Sequence, residues 1–229
     1  MSINDVEIVV SRYNEDLRWM LESPFNEFQY TVYNKGVNEN FEKSNVKEII
    51  SLPNVGRCDH TFLYHIIKNY NNLSPITVFF PGSINMSNKK EKAIKILEII
   101  KNKNFQYGAF VGQYSESIFN DFELFSMETH PCGDKSNFDL NPETVLKPSI
   151  LRPYGTWYKY HFKNINVNIY TYWGILSIHK DDILQHPIER YKQLIYGTSL
   201  HSNPEVTHYI ERSWGAIFHP FRKTLVKIV

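Results

Sequence analysis

The apolar residues in the first half of the chain follow two alternating patterns. Short β-branched or aromatic runs, typical of strands covered on both faces, lie at 6–10, 27–33 and 76–80. Apolar residues at helical spacing follow each of these runs, at 15–22, 59–70 and 89–100. This alternation predicts an α/β fold with a mainly parallel central sheet, right-handed crossovers and helices on both faces.

The second half of the chain has a less regular pattern. Residues 105–157 are rich in turns and aromatic residues, and 166–178 have the composition of a strand with a break near Trp173-Gly174. Two helices are predicted towards the C-terminus, where Pro187 either interrupts the first helix or marks the first turn of a new one. We therefore expect a single Rossmann-like domain with a helical C-terminal part.

Composition and charge exclude several classes of protein. Hydrophobic residues make up 42% of the chain and charged residues 21%, as in globular proteins. The net charge of +1 gives no electrostatic reason to expect a nucleic-acid partner. No apolar run approaches the roughly 18 to 20 residues of a membrane span, and the N-terminus lacks the features of a secretion signal. A cytoplasmic protein is predicted, with Cys58 and Cys132 reduced, although a disulfide between them stays open.

Several well-known catalytic and metal-binding motifs are absent from the sequence. It contains no HExxH, no CxxC, no GxSxG elbow, no Walker loop and no GxGxxG. Structural zinc sites, the corresponding hydrolases, P-loop NTPases and Rossmann dehydrogenases are therefore disfavoured.

Polar residues follow each of the three predicted strands. The strands end in Ser11-Arg12-Tyr13-Asn14, in Tyr33-Asn34-Lys35 and in Pro81-Gly82-Ser83. Ligands of open α/β sheets collect beyond the carboxyl ends of the strands. Tyr and Asn can contact a base or ribose, and Arg or Lys can contact phosphate. Together the three ends predict a nucleotide site, although each one alone could equally be an ordinary turn.

Two charged residues outside the strand ends are further candidates. Arg57 lies beside the start of a predicted helix that Asp59 could cap, which suits a phosphate contact. The alternative for Arg57 is a solvated side chain in an ordinary loop. Glu211 lies one helical turn before Trp214, whose indole could raise the pKa of the carboxylate by desolvation and so make it a general base. The alternative is one more solvated acid on a helix.

Ordered sequence blocks resemble a known family. VVSRYNEDLRWM resembles the first strand and nucleotide-binding turn of glycosyltransferases of the A-type fold. A family of glycosyltransferase-like proteins from fungi, bacteria and large DNA viruses shares the order VVSRYNEDLRWM, VYNKG, LPNVGRCDHTFLYHIIKNYNNL, TVFFPG and YIERSWGAIF. The similarity covers most of the chain and is weakest at 105–160.

The resemblance implies a nucleotide-sugar site. The residues implied to bind a UDP- or GDP-sugar donor are Arg12, Tyr13, Asn14, Tyr33, Asn34, Lys35, Arg57 and Ser83. Glu211 would be the base that deprotonates the acceptor hydroxyl, and Trp173, Gly174 and Trp214 would line the acceptor side. The single domain, 1–229, would then comprise a nucleotide-binding half, 1–104, and an acceptor and catalytic half, 105–229.

The resemblance implies an inverting transfer of a sugar to a glycan or glycoprotein, in the host cytoplasm if the protein is viral. A catalytically silent domain that binds a nucleotide sugar or glycan is the first alternative. A nucleotidyltransferase is the second, and it would need clustered acids near the strand ends.

One departure from the family pattern concerns the metal. Such enzymes usually carry Asp-x-Asp after the strand equivalent to 76–80, and this motif binds Mg²⁺ or Mn²⁺. Here the stretch reads PGSIN and contains no acid. Ligands from elsewhere, leaving-group stabilisation by Arg and Lys, and loss of activity are the three explanations. The acids that could substitute are Asp134, Asp139, Asp181 and Asp182.

Overall fold

A five-stranded sheet forms the centre of the molecule. The computed structural model describes residues 2–102, 109–111, 113–128, 141–163, 165–222 and 226–228. The strands of the central sheet are β1 Val6–Arg12, β2 Tyr30–Asn34, β3 Val46–Ser51, β4 Ile76–Pro81 and β8 Leu176–His179. Their order is β3-β2-β1-β4-β8, in which only β8 is antiparallel to its neighbour. The predicted α/β class with a mainly parallel sheet is therefore confirmed.

Helices and two small sheets surround the central sheet. Within the described residues the α-helices are α1 Arg57–Lys68, α2 Ser87–Asn102, α3 Ile118–Phe122, α4 Tyr154–Phe162, α5 Lys180–Leu184, α6 Ile188–Tyr196 and α7 Glu205–Ile217. The remaining strands are β5 Ala109–Val111, which pairs with β9 Val226–Ile228, and β6 Gln113–Tyr114, which pairs with β7 Ile169–Tyr170. No helix among the described residues has the length and apolarity that crossing a membrane requires.

The strands bury both faces, as their continuous apolar runs predict. Because side chains alternate along a strand, Val9 and Phe79 belong to the cluster packed under α1, α4, α6 and α7. Their neighbours Val10 and Phe80 belong to the cluster packed under α2. Helices α1 and α2 therefore lie on opposite faces of the sheet. Since both follow parallel strands, both begin at its carboxyl edge.

Residues 15–22 do not form the predicted helix. Leu17 adopts a left-handed conformation with φ of 58°, and two short 3₁₀ turns, Arg18–Leu21 and Phe25–Glu27, follow it. Trp19 is fully buried and packs edge-to-face on Phe25. Tertiary burial of the aromatic residues therefore overrides the helical spacing.

One strand that was not predicted and two further predictions can be compared with the structure. The edge strand β3 was not predicted, because most of its residues are exposed and it carries no buried apolar run. Pro187 is the residue immediately before α6, so it marks a new helix and does not kink an existing one. The break predicted near Trp173-Gly174 is confirmed, since β7 ends at Tyr170 and β8 begins at Leu176.

Candidate functional site

A large cleft lies at the carboxyl edge of the parallel strands. Its volume is about 810 Å³, which suits a small-molecule ligand. The ends of β1, β2 and β4, the first turns of α1 and α2, and the middle of α7 form its walls. The predicted site residues that line it are Arg12, Tyr13, Lys35, Arg57, Ser83, Trp173 and Glu211.

The side chain of Arg12 holds the turn after β1 in place. Its guanidinium is fully buried and donates hydrogen bonds to Asn34 Oδ1, at 2.6 Å, and to the carbonyl oxygen of Asn38. It also stacks on Phe41, 4.2 Å from the ring centroid. The next residue, Tyr13, is 49% exposed and lines the cleft. Arg12 therefore positions the turn, and Tyr13 is the residue of this turn that can reach a ligand.

Lys35 fixes the start of α1 to the end of β2. Its Nζ is buried and donates to the carbonyl oxygens of Val55 and Arg57. Burial lowers the pKa of Lys35 to about 8. Between these carbonyls Gly56 has φ of 60°, and a Cβ at this position would lie 2.4 Å from the carbonyl oxygen of Thr198. Only glycine fits this turn, which aims the first turn of α1 at the cleft.

Arg57 extends from that turn towards solvent. The residue is exposed, and its Nη1 donates to Asn203 Oδ1 at 3.2 Å. Asn203 also contacts His208 of α7, with 3.2 Å between Oδ1 and Nε2. The guanidinium is thus oriented at the edge of the cleft, where it can contact an anionic ligand.

Glu211 occupies the α7 side of the cleft. The backbone N–H of Trp173 donates to its Oε1 at 2.7 Å, and Arg212 Nη1 lies 3.7 Å from its Oε2. The carboxylate is partly exposed, at 19%. One oxygen is therefore oriented by the backbone, while lone pairs remain for a ligand hydroxyl.

The indole predicted to accompany Glu211 is bonded to a different carboxylate. Trp214 is fully buried, and its Nε1 donates to Asp59 Oδ1 at 2.8 Å. Asp59 lies inside the first turn of α1, so it is not the helix cap; Gly56 occupies that position. Burial raises the pKa of Asp59 to about 7, and the nearby charge of Glu211 adds to this rise. Trp214 is therefore a core residue that satisfies a buried acid.

Lys89 reaches back from α2 over the end of β4. Its Nζ donates to Ser83 Oγ at 2.8 Å, and both residues line the cleft. Beside them the carboxylate of Glu15 accepts the backbone N–H groups of Tyr13 and Asn14. This carboxylate fills the space next to Gly82, where a Cβ would lie 2.7 Å from Glu15 Oε2. The carboxyl end of β4 thus carries a cation and a carboxylate already bound by backbone amides.

Five predicted site residues do not line the cleft. Tyr33 and Asn34 are buried below it, where the hydroxyl of Tyr33 shares a hydrogen bond of 3.1 Å with His65 Nδ1. Gly174 lets the backbone pass Cys58, since a Cβ there would lie 2.6 Å from Sγ. Asn14 is exposed on the turn after β1, and Trp214 lies in the core as described.

Several cleft residues were not predicted as part of the site. They include Glu15, Cys58, Asp59, Lys89, Tyr172, Asn203, His208 and Arg212. Glu15 directly follows the predicted turn and could have been included on that ground. Lys89 stands in a lysine-rich helix start, where nothing in the sequence separates it from Lys90 or Lys92.

The described residues do not fit an Mg²⁺ or Mn²⁺ site. They contain no group of three or more His, Cys, Asp or Glu side chains arranged to hold a metal. Asp181 and Asp182 follow β8, whose last residue His179 pairs with Ile76 at the amino end of β4. The two acids therefore lie at the opposite edge of the sheet from the cleft. Asp134, Asp139 and Cys132 lie outside the described residues, and Cys58 is a free thiol.

The sequence matches no protein-family model, and no curated protein is significantly similar to it. The resemblance to glycosyltransferases therefore stays a prediction, and the function has to be argued from the cleft itself.

Proposed function

We propose that this protein transfers a sugar from a nucleotide diphosphate sugar to a hydroxyl of a glycan or glycoprotein. The finer fold assignment, an A-type glycosyltransferase, is part of this proposal. One observation carries it: a carboxylate oriented by the backbone, Glu211, lies in the same cleft as exposed Arg57 and partly buried Lys89. A base for the acceptor and cations for a diphosphate are the two chemical requirements of such a transfer.

The donor fits the sheet side of the cleft. Tyr13 offers an exposed aromatic ring for the base, next to a turn that Arg12 holds rigid. The diphosphate then extends towards the first turns of α1 and α2, where Arg57 and Lys89 are placed. Backbone N–H groups and cations at helix N-termini favour such an anion.

The acceptor fits the α7 side of the cleft. Its hydroxyl oxygen attacks the anomeric carbon while Glu211 takes the hydroxyl proton, and the bond from that carbon to the phosphate oxygen breaks. Attack on the face opposite the leaving group inverts the anomeric configuration. The N–H of Trp173 on Oε1 orients the carboxylate and leaves Oε2, 3.7 Å from Arg212 Nη1, to take the proton.

Calorimetric titration with UDP- and GDP-sugars, followed by assays of sugar transfer and of slow donor hydrolysis, tests the proposal. We expect one nucleotide sugar to bind and to be turned over. Binding without transfer or hydrolysis would favour the silent binding domain. If every nucleotide and nucleotide sugar fails to bind, the proposal is wrong.

A further inference from the structure

A turn formed by residues 171–174 connects Glu211 to helix α2. We infer that Lys92 of α2 acts through this turn as a positioning residue, which holds Glu211 where it can take the acceptor proton. The inference rests on the proposed function, because it concerns the base of that reaction. Lys92 Nζ lies 3.6 Å from the centroid of the Trp173 ring, and the N–H of Trp173 donates to Glu211 Oε1 at 2.7 Å. A single residue, Trp173, therefore links Lys92 to the proposed base.

Glu211 is bonded to this turn at two points. The hydroxyl of Thr171 donates to the main-chain carbonyl oxygen of Glu211, and the N–H of Trp173 donates to its carboxylate. Thr171 is buried, whereas the carboxylate is partly exposed in the cleft. The first bond fixes the turn against α7, and the second sets the direction of the carboxylate. A change in the orientation of the Trp173 N–H would therefore change the orientation of the base.

The backbone of the turn is unfavourable without contacts that support it. Trp173 and Gly174 are consecutive residues with left-handed φ, a conformation that tryptophan rarely adopts. At Gly174 the chain passes α1 so closely that a Cβ would lie 2.6 Å from Cys58 Sγ. Such backbone persists only where the surroundings hold it. The contacts of the Trp173 side chain are therefore part of what keeps the N–H aimed at Glu211.

Lys92 provides a charged contact to that side chain. Its neighbour Lys90 pairs with Glu22, whereas the ammonium of Lys92 lies over the indole of Trp173. Lys92 is partly buried, and a cation–π contact is stronger where water is partly excluded. Helix α2 packs on the sheet through its buried face and begins beside the cleft, so it is a rigid base for this contact. Lys92 therefore stabilises the conformation of the turn in which Glu211 is oriented.

The experiment measures kcat for sugar transfer and the dissociation constant of the UDP- or GDP-sugar that the wild type uses. Lys92→Met removes the charge and keeps the length of the side chain. It should lower kcat by roughly 3- to 30-fold, the range over which a cation–π contact shifts an equilibrium. The dissociation constant should change less than about 2-fold, because the donor lies elsewhere in the cleft.

Two further variants of Lys92 and one control accompany this change. Lys92→Arg, whose guanidinium can also lie over the indole, should restore most of the lost kcat. Lys92→Gln, which is neutral and polar, should behave like Lys92→Met and serves if that protein does not fold. The matched control is Lys95→Met, an exposed lysine on the same helix, which should change kcat less than about 2-fold.

A double-mutant cycle with Glu211→Gln separates positioning of the base from general stabilisation. The glutamine cannot take a proton, so its orientation no longer sets the rate. In this background Lys92→Met should lower the residual kcat less than about 2-fold, and the effects of the two changes should not add. Circular dichroism establishes that each variant is folded.

Three outcomes would overturn the inference while the proposed function stands. The first is a folded Lys92→Met protein as active as the wild type. The second is a Lys92→Met protein that loses donor affinity at unchanged kcat, and the third is a loss of kcat that persists in full in the Glu211→Gln background. If the wild type itself neither binds nor turns over any nucleotide sugar, the proposed function fails and the inference with it, so the two failures are distinguishable.

Discussion

Helix α7 carries two glutamates less than two turns apart, and they have opposite surroundings. Glu205 is fully buried, and its two oxygens accept hydrogen bonds from Ser126, Met127, Ser149 and Arg152. Glu211 is partly exposed in the cleft, and its bond to a backbone N–H leaves acceptor capacity unused. The same residue type thus stabilises the fold at one end of the helix and is available for chemistry in its middle. Partners and burial separate the two roles, whereas sequence context does not.

The largest expected effect is on activity, from Glu211→Gln. The amide keeps the size of the side chain and can still accept the N–H of Trp173, but it cannot take a proton. Turnover should fall about 10³-fold, with donor affinity and the free energy of unfolding nearly unchanged. Steady-state kinetics and calorimetry check this, with Glu189→Gln on the surface of α6 as the control. Normal activity in Glu211→Gln would remove this residue from the mechanism.

The second effect is on stability, from Glu205→Gln. The change leaves the guanidinium of Arg152 without its buried carboxylate, 2.8 Å away, and turns an amide N–H₂ towards other donors. We expect the free energy of unfolding to fall by about 3 kcal/mol, measured by urea denaturation. A Glu205→Gln protein as stable as the wild type would show that the comparison between the two glutamates is wrong.

The smallest expected effect is on how the free energy of unfolding depends on pH, and it comes from Asp59, the buried acid near Glu211. The pKa of Asp59 is about 7 in the folded protein and near its ordinary value of 3.8 when unfolded. Between about pH 4 and 7 the folded state therefore binds more protons, so the stability contribution of Asp59 falls as pH rises. Relative to the wild type, Asp59→Asn should gain roughly 1 kcal/mol of stability per pH unit across this window.

Urea denaturation in steps from pH 4 to 8 measures that difference. The exposed residue Glu98 provides the control variant Glu98→Gln, which should show a constant difference from the wild type. A constant difference in Asp59→Asn as well would mean that the carboxyl group of Asp59 keeps its ordinary pKa in the fold.

The parts of the fold with strong local signals could be predicted from sequence. The apolar runs of β1 and β4 and the helical spacing of α1 and α2 are local properties, and the structure has these elements with nearly the expected bounds. The region 15–22 could not be predicted, because burial of Trp19 decides its conformation. Strand β3 could not either, since an exposed edge strand needs no apolar run.

The position of the cleft could be predicted from the sequence, but only some of the residues that line it could. Parallel strands must end at one edge, so the polar ends of β1, β2 and β4 had to converge. Whether a side chain at such an end points into the cleft depends on distant partners. Arg12 lines the cleft but is held by Asn34 and Phe41, so it positions the turn after β1. Trp214 points into the core because Asp59, far along the chain, accepts its indole N–H.

The turn at Trp173 and Gly174 restricts how the specificity of such a protein can change. Both residues have positive φ, 69° and 63°, which for a tryptophan costs about 1–2 kcal/mol. The contact of its ring with Lys92, 3.6 Å from Nζ to the ring centroid, and its N–H bond to Glu211 hold the turn. A substitution here would alter the proposed acceptor wall and displace Glu211, the proposed base, at the same time. Variation that preserves turnover is therefore expected at other lining positions, such as Gln113 and Thr144, which leave that bond intact.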